Sequence, residues 1–97
     1  MARPGQSPDA RELIASLVRT RDAVERLVAE LDAKSASAGG VTVSDEQARR
    51  RAKRALRKIN NEHLPWARSP VFTQTQAAGV AFWLIGVWSS LPLEDTD

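Results

Sequence analysis

The chain has 97 residues, with 14 Lys and Arg against 12 Asp and Glu, one His and no Cys. That length bounds it to one small domain, and the absence of cysteine excludes a disulfide framework and thiolate chemistry. A lone His63 cannot build a His-based metal site, and a net charge of +2 conceals an uneven distribution along the chain.

The first 30 residues lack the apolar core of a signal peptide, so membrane contact is expected only through the C-terminal end. Residues 1–34 read as an amphipathic helix. Ser7 can cap it with Pro8 at the first position, or Asp9 can cap it with Glu12 three residues on. Leu13, Leu17, Val24, Leu27 and Leu31 follow at heptad spacing. Ala10 and Thr20 complete the seam, and Ile14, Val18 and Val28 widen it. Charges occupy the opposite face, with Arg21/Glu25, Asp22/Arg26 and Arg26/Glu30 at i,i+4 spacing. Such a stripe must be covered. A coiled coil would make the five Leu and Val positions the oligomerisation set, whereas a hairpin would cover them with the chain's own second helix. The sequence leaves both open.

Residues 35–43 read as a flexible linker around Gly39–Gly40, and residues 44–63 as a basic helix. Ser44 is the expected N-cap with Gln47 at N3, and Val43 and Ala48 sit where a hydrophobic staple would. Ala48, Ala52, Ala55, Leu56 and Ile59 form a narrow apolar face with His63 at its edge. Arg49, Arg50, Arg51, Lys53, Arg54, Arg57 and Lys58 cover the remainder, seven basic residues in ten with no acid among them. A solvated surface is the ordinary reading of such a run. The lack of balancing charge points instead to an anionic partner, either lipid headgroups or nucleic-acid phosphates. No helix-turn-helix, zinc-finger or RNA-binding signature supports direct base reading.

Residues 64–70 read as a Pro-rich hinge, in which Pro65 and Pro70 push Leu64 and Ser69 out of helical geometry. Trp66 between them is an interface anchor or a lid on a small core. Residues 71–91 read as an apolar C-terminal helix, capped by Ser69, with Pro70 at its first position and Pro92 as its stop. Residues 92–97 form an acidic tail. No charge occurs from Ser69 to Leu93, and Ala77 to Trp88 is apolar for 12 residues running. A helix apolar all round must be buried in protein or lipid.

Counted from Val71 to Leu93, the segment has 23 residues, about 33 Å of helix against a hydrocarbon core of about 30 Å. Trp66 and Trp88 near its ends suit interfacial positions, and the basic flank before it would keep the N-terminus cytoplasmic. Thr75, Gly79, Gly86 and Ser90 form a small-residue stripe for close helix packing. Trp66, Phe82, Trp83, Leu84, Ile85 and Trp88 are the residues expected to insert into a membrane or a partner's groove. The 12-residue apolar run is short for a span and equally suits a buried helix.

No catalytic constellation accompanies these elements. There is no G-x-S-x-G elbow, phosphate loop or dinucleotide fingerprint. Asp45 and Glu46 are adjacent and diverge on a helix, and His63 reads as a packing or helix-end residue. The expectation is an all-α, non-enzymatic chain with no cofactor and no small-molecule substrate. The leading functional expectation is a homo-oligomeric assembly protein anchored in a membrane by its C-terminal helix, as in a complex subunit, a scaffold or a phage lysis protein. One alternative is a cytoplasmic virion or complex subunit that buries this helix in a protein interface. The other is a nucleic-acid-binding oligomer using residues 49–58.

Overall fold

A computed structural model describes residues 10–36 and 42–93. The fold is all-α, with no strand among the described residues. Helix α1 spans Ala10–Ala36, α2 spans Val43–Lys58, a π-turn covers Ile59–His63, α3 is the single turn Leu64–Ala67, and α4 spans Gln74–Ser90. Both α2 and α4 lie against α1.

The core follows the α1 seam. Leu13, Leu17, Thr20, Val24, Leu27 and Leu31, alternating four and three residues apart, are all buried. They divide between two clusters. Leu13 and Leu17 pack with Ile59, Leu64, Ala67, Ala77, Val80 and Leu84. Val24, Leu27 and Leu31 pack with Ala52, Ala55, Val87 and Leu91. The five positions expected to join separate copies are thus covered from within the chain, because α2 and α4 supply two apolar faces where a hairpin alone would supply one. Thr20 is the one polar member of the seam. Its hydroxyl donates to the Ser16 carbonyl at 2.7 Å and accepts from the Trp88 indole N–H at 2.9 Å. That bond ties α4 to α1 and satisfies a buried hydroxyl that would otherwise be costly.

The starts of α2 and α4 differ from the sequence reading, while the expected α1 caps Ser7 and Asp9 lie outside the described residues. Thr42, not Ser44, caps α2, accepting the Asp45 N–H at 3.1 Å from an extended backbone. Val43 is then the first helical residue and lies exposed, so no staple forms with Ala48. Thr73, not Ser69, caps α4 through a reciprocal box with Gln76. Thr-x-x-Gln satisfies two amide donors at once, which a lone Ser69 before Pro70 cannot do. Ser69 instead closes a turn, its carbonyl accepting the Phe72 N–H at 3.2 Å. Helix α4 therefore has 17 residues, about 25 Å at 1.5 Å rise.

The expected hinge at residues 64–70 is also redrawn. Leu64 is helical, with φ −65° and ψ −47°, and the α2 rod continues to Ala67. The Pro65 ring would clash with the Asn61 carbonyl in a regular α-helix. The π-turn relieves this: the Leu64 N–H bonds to Ile59 five residues back, admitting one extra residue. The same insertion rotates the register, so that Ile59, His63, Leu64 and Ala67 all face the core. The bend is left to residues 68–73.

Candidate binding surfaces

The basic run on α2 divides into paired and unpaired cations. Arg49 bonds to Asp32 of α1 at 2.6 Å and lies 3.4 Å from Glu46. Arg50 pairs with Glu46 at 3.6 Å, and Lys53 with Asp32 at 3.8 Å. The hydrogen bond from Arg49 to Asp32, reinforced by charge, holds that guanidinium still more firmly protonated than usual. Three of the seven cations are therefore balanced, two of them by an acid across the helix interface, where the sequence showed no counter-charge within the run. Arg51, Arg54, Arg57 and Lys58 are exposed and make no ion pair among the described residues.

Those four line a groove of about 520 Å³ between α2 and α4. Its floor is Ala55, Val87 and Leu91, with Trp83 towards one end. The groove lies between α2 and α4, both of which pack on α1. Glu62 and Asn61 lie at the end near the π-turn.

His63 is buried at that same end of the fold, 6% exposed. Its ring stands edge-on to Trp66 at 5.5 Å and tilted against Trp83 at 4.4 Å. Neither ring nitrogen has a hydrogen-bond partner. Burial lowers its pKa below 6.5, the Lys58 charge adds to the effect, and Glu62 opposes it. The imidazole is a neutral wedge between two indoles. No group of three His, Cys, Asp or Glu among the described residues is placed to hold a metal ion.

The second surface is the outer face of α4. Phe82 is 78% exposed and Ile85 64%. Gly79 and Gly86 share this side, and a Cβ added to either would meet nothing within 4 Å. A hollow of about 360 Å³ runs beside Phe82, lined by Gly79, Trp83, Gly86, Val87 and Ser90. Thr75 is exposed one turn before Gly79.

The residues expected to insert into a membrane or a partner therefore separate. Leu84 is core. Trp83 packs on His63, and Trp88 is bonded to Thr20. Only Phe82 and Ile85 remain largely exposed, and Trp66 is 43% exposed. The sequence reading missed the groove, whose two walls are some 30 residues apart in sequence. It also missed the Thr20–Trp88 bond, for which the only signal was a Thr within a Leu/Val seam. No described helix is long and apolar enough to cross a membrane. None of the protein-family models, curated proteins or solved structures compared with the chain matches it.

Proposed function

We propose that the chain is a small non-enzymatic helical assembly protein that pairs with a second copy through the outer face of α4. The observation that carries this reading is Phe82, 78% exposed beside two open glycines on a helix without a single charge. A glycine within a helix costs about 1 kcal/mol relative to alanine. Neither Gly79 nor Gly86 returns that cost inside the bundle, since neither backs onto a neighbour. Close approach by another helix is the use such positions have.

A second copy is favoured as occupant because the face is complementary to itself. Gly79 and Gly86 lie equally far from positions 82–83. An antiparallel pair crossing there sets the Gly79 of each copy against the Gly86 of the other. Each Phe82 ring then falls beside the hollow of the opposite helix. Twofold pairing of this kind uses one patch on both copies and closes without further growth.

Sedimentation of the purified chain tests the reading. The expected result is a dimer that Phe82→Glu and Ile85→Glu each convert to a monomer of unchanged helicity. A wild-type monomer at all concentrations would sink the proposal. A second reading is supported by the same exposed face: α4 inserts into a bilayer. At about 25 Å it falls short of a hydrocarbon core of about 30 Å, and its inner face is engaged by α1. Retention of the expressed chain in membrane pellets through high-salt and alkaline washes is the outcome that would favour it.

A further inference from the structure

Resting on the pairing of two copies through α4 proposed above, we infer that Glu12 of each copy meets Arg19 of the other, and that this reciprocal ion pair sets the antiparallel register of the dimer. Both residues belong to α1, outside the apolar face itself. They stand exposed on one wall of a crevice of about 510 Å³ between α1 and α4, with Ile85, Trp88 and Ser89 on the other wall. Ile85, 64% exposed, belongs both to this crevice and to the outer face of α4, so the open apolar surface is continuous with the α1 flank.

Neither charge is used within the chain. Arg21, Asp22, Glu25 and Asp32 of the same helix all make ion pairs, whereas Glu12 and Arg19 make none among the described residues. Seven residues separate the two, about 10 Å of helix and beyond the three- or four-residue spacing at which helix side chains pair. The short side chain of Ser16 stands between them on the crevice wall.

The fold sets the two charges at matching levels about the proposed twofold axis. α1 and α4 run in the same direction, since Leu13 and Leu17 pack with Ala77, Val80 and Leu84, and Val24, Leu27 and Leu31 pack with Val87 and Leu91. The Thr20–Trp88 hydrogen bond fixes their register at an offset of 68 residues. At that offset the midpoint of Glu12 and Arg19 falls one residue from the midpoint of Gly79 and Gly86, a rise of about 1.5 Å. The glycines and the charges are also spaced alike, seven residues apart. A twofold axis across α4 reverses the direction of the second copy and keeps its α1 on the same flank. Glu12 of each copy is then level with Arg19 of the other. The unpaired cations Arg51, Arg54, Arg57 and Lys58 of both copies fall on the opposite flank, where like charge repels, so the attraction comes from the α1 side. A parallel pair would instead set each α1 against the α2 cations of the other copy, which suits Glu12 and repels Arg19.

The test is sedimentation of the full chain over a concentration series, with circular dichroism to check that each variant keeps its helicity. Glu12→Arg and Arg19→Glu each turn both ion pairs into like-charge contacts, and each is expected to raise the dimer Kd about tenfold or more. The double exchange E12R/R19E rebuilds the pairs with their ends traded, and is expected to bring the Kd back to within about threefold of the unsubstituted chain. Glu30→Arg makes the same change of net charge as Glu12→Arg, but at a level past the C-terminal end of α4, and is expected to leave the Kd unchanged.

A dimer that Phe82→Glu breaks but neither single exchange weakens would overturn the ion pair and leave the pairing of α4 standing. Single exchanges that weaken the dimer without rescue by the double exchange would overturn it too, because the two charges then do not face each other. Equal weakening by Glu30→Arg would do the same, by assigning the effect to net charge. A chain that is monomeric without any substitution overturns both the ion pair and the pairing on which it rests.

Discussion

Helix α4 carries two faces built at the same spacing, and only one is covered. Ala77, Val80, Leu84, Val87 and Leu91 recur three and four residues apart and are buried against the rest of the bundle. Ala78, Phe82, Ile85 and Ser89 recur in the same way and lie open. Helix α1 behaves differently. Its outer side carries Glu12, Arg19, Asp22, Glu25, Arg26 and Glu30, so its need for burial ends when the bundle closes. α4 has no charge to hold its outer side in water. Folding of the single chain covers half of this helix and leaves an apolar face open.

The largest expected effect that tests this contrast is a pair of truncations. Leu17→Ala removes a side chain with 0% exposure, and should cost about 2–5 kcal/mol by transfer and cavity terms. Phe82→Ala, on the outer face, should change the stability of dilute monomer by no more than about 0.5 kcal/mol. Urea unfolding of both variants gives the comparison. Similar losses for the two would mean that the outer face is structural after all.

A smaller effect should come from His63, the buried titratable group on the inner side. Its folded-state pKa lies below 6.5, so the unfolded chain binds the proton more readily. Stability is then full above pH 6.5 and falls as the pH drops from there towards the folded-state pKa. The charged groups beside the ring are Lys58, which favours this direction, and Glu62, which opposes it. Thermal melts from about pH 7.5 to about pH 5, above the main carboxylate range, should show the fall. Replacing His63 by Leu should flatten it. A slope that persists in the Leu variant would place the titration elsewhere.

The smallest effect sharpens the outer face. Gly86→Ala adds a methyl group into open space, and should stabilise the dilute monomer by about 0.5–1 kcal/mol through helix propensity. The same change should weaken pairing at high protein concentration. A destabilised monomer would show that the glycine is already packed against something.

Much of the fold is legible in the sequence alone. The heptad seam of α1, the alanine-rich face of α2 and the uncharged C-terminal helix are local patterns, and period alone assigns them to helices and marks their apolar sides. The cap positions were harder, because Ser44 competes with Thr42 and Ser69 with Thr73, and residues of similar chemistry differ only in which amide they reach. Pro65 reads as a helix break because its local preference is strong. The π-turn absorbs it, since packing of Leu64 and Ala67 in the core holds the rod together beyond the proline.

The basic run is visible as a run, but its division into paired and unpaired cations is not. Asp32 lies 17 residues from Arg49 and faces it only once α1 and α2 lie antiparallel. The same holds for the groove, which is the gap left by two helices that share a third. By itself the sequence determined helix class, apolar periodicity and the charge-free character of α4, because these depend on neighbours within one or two turns. Tertiary structure alone decided which face of α4 is spent inside the bundle, which cations of α2 are paired and where a groove opens beside them. Those depend on how side chains distant in sequence compete to cover one another.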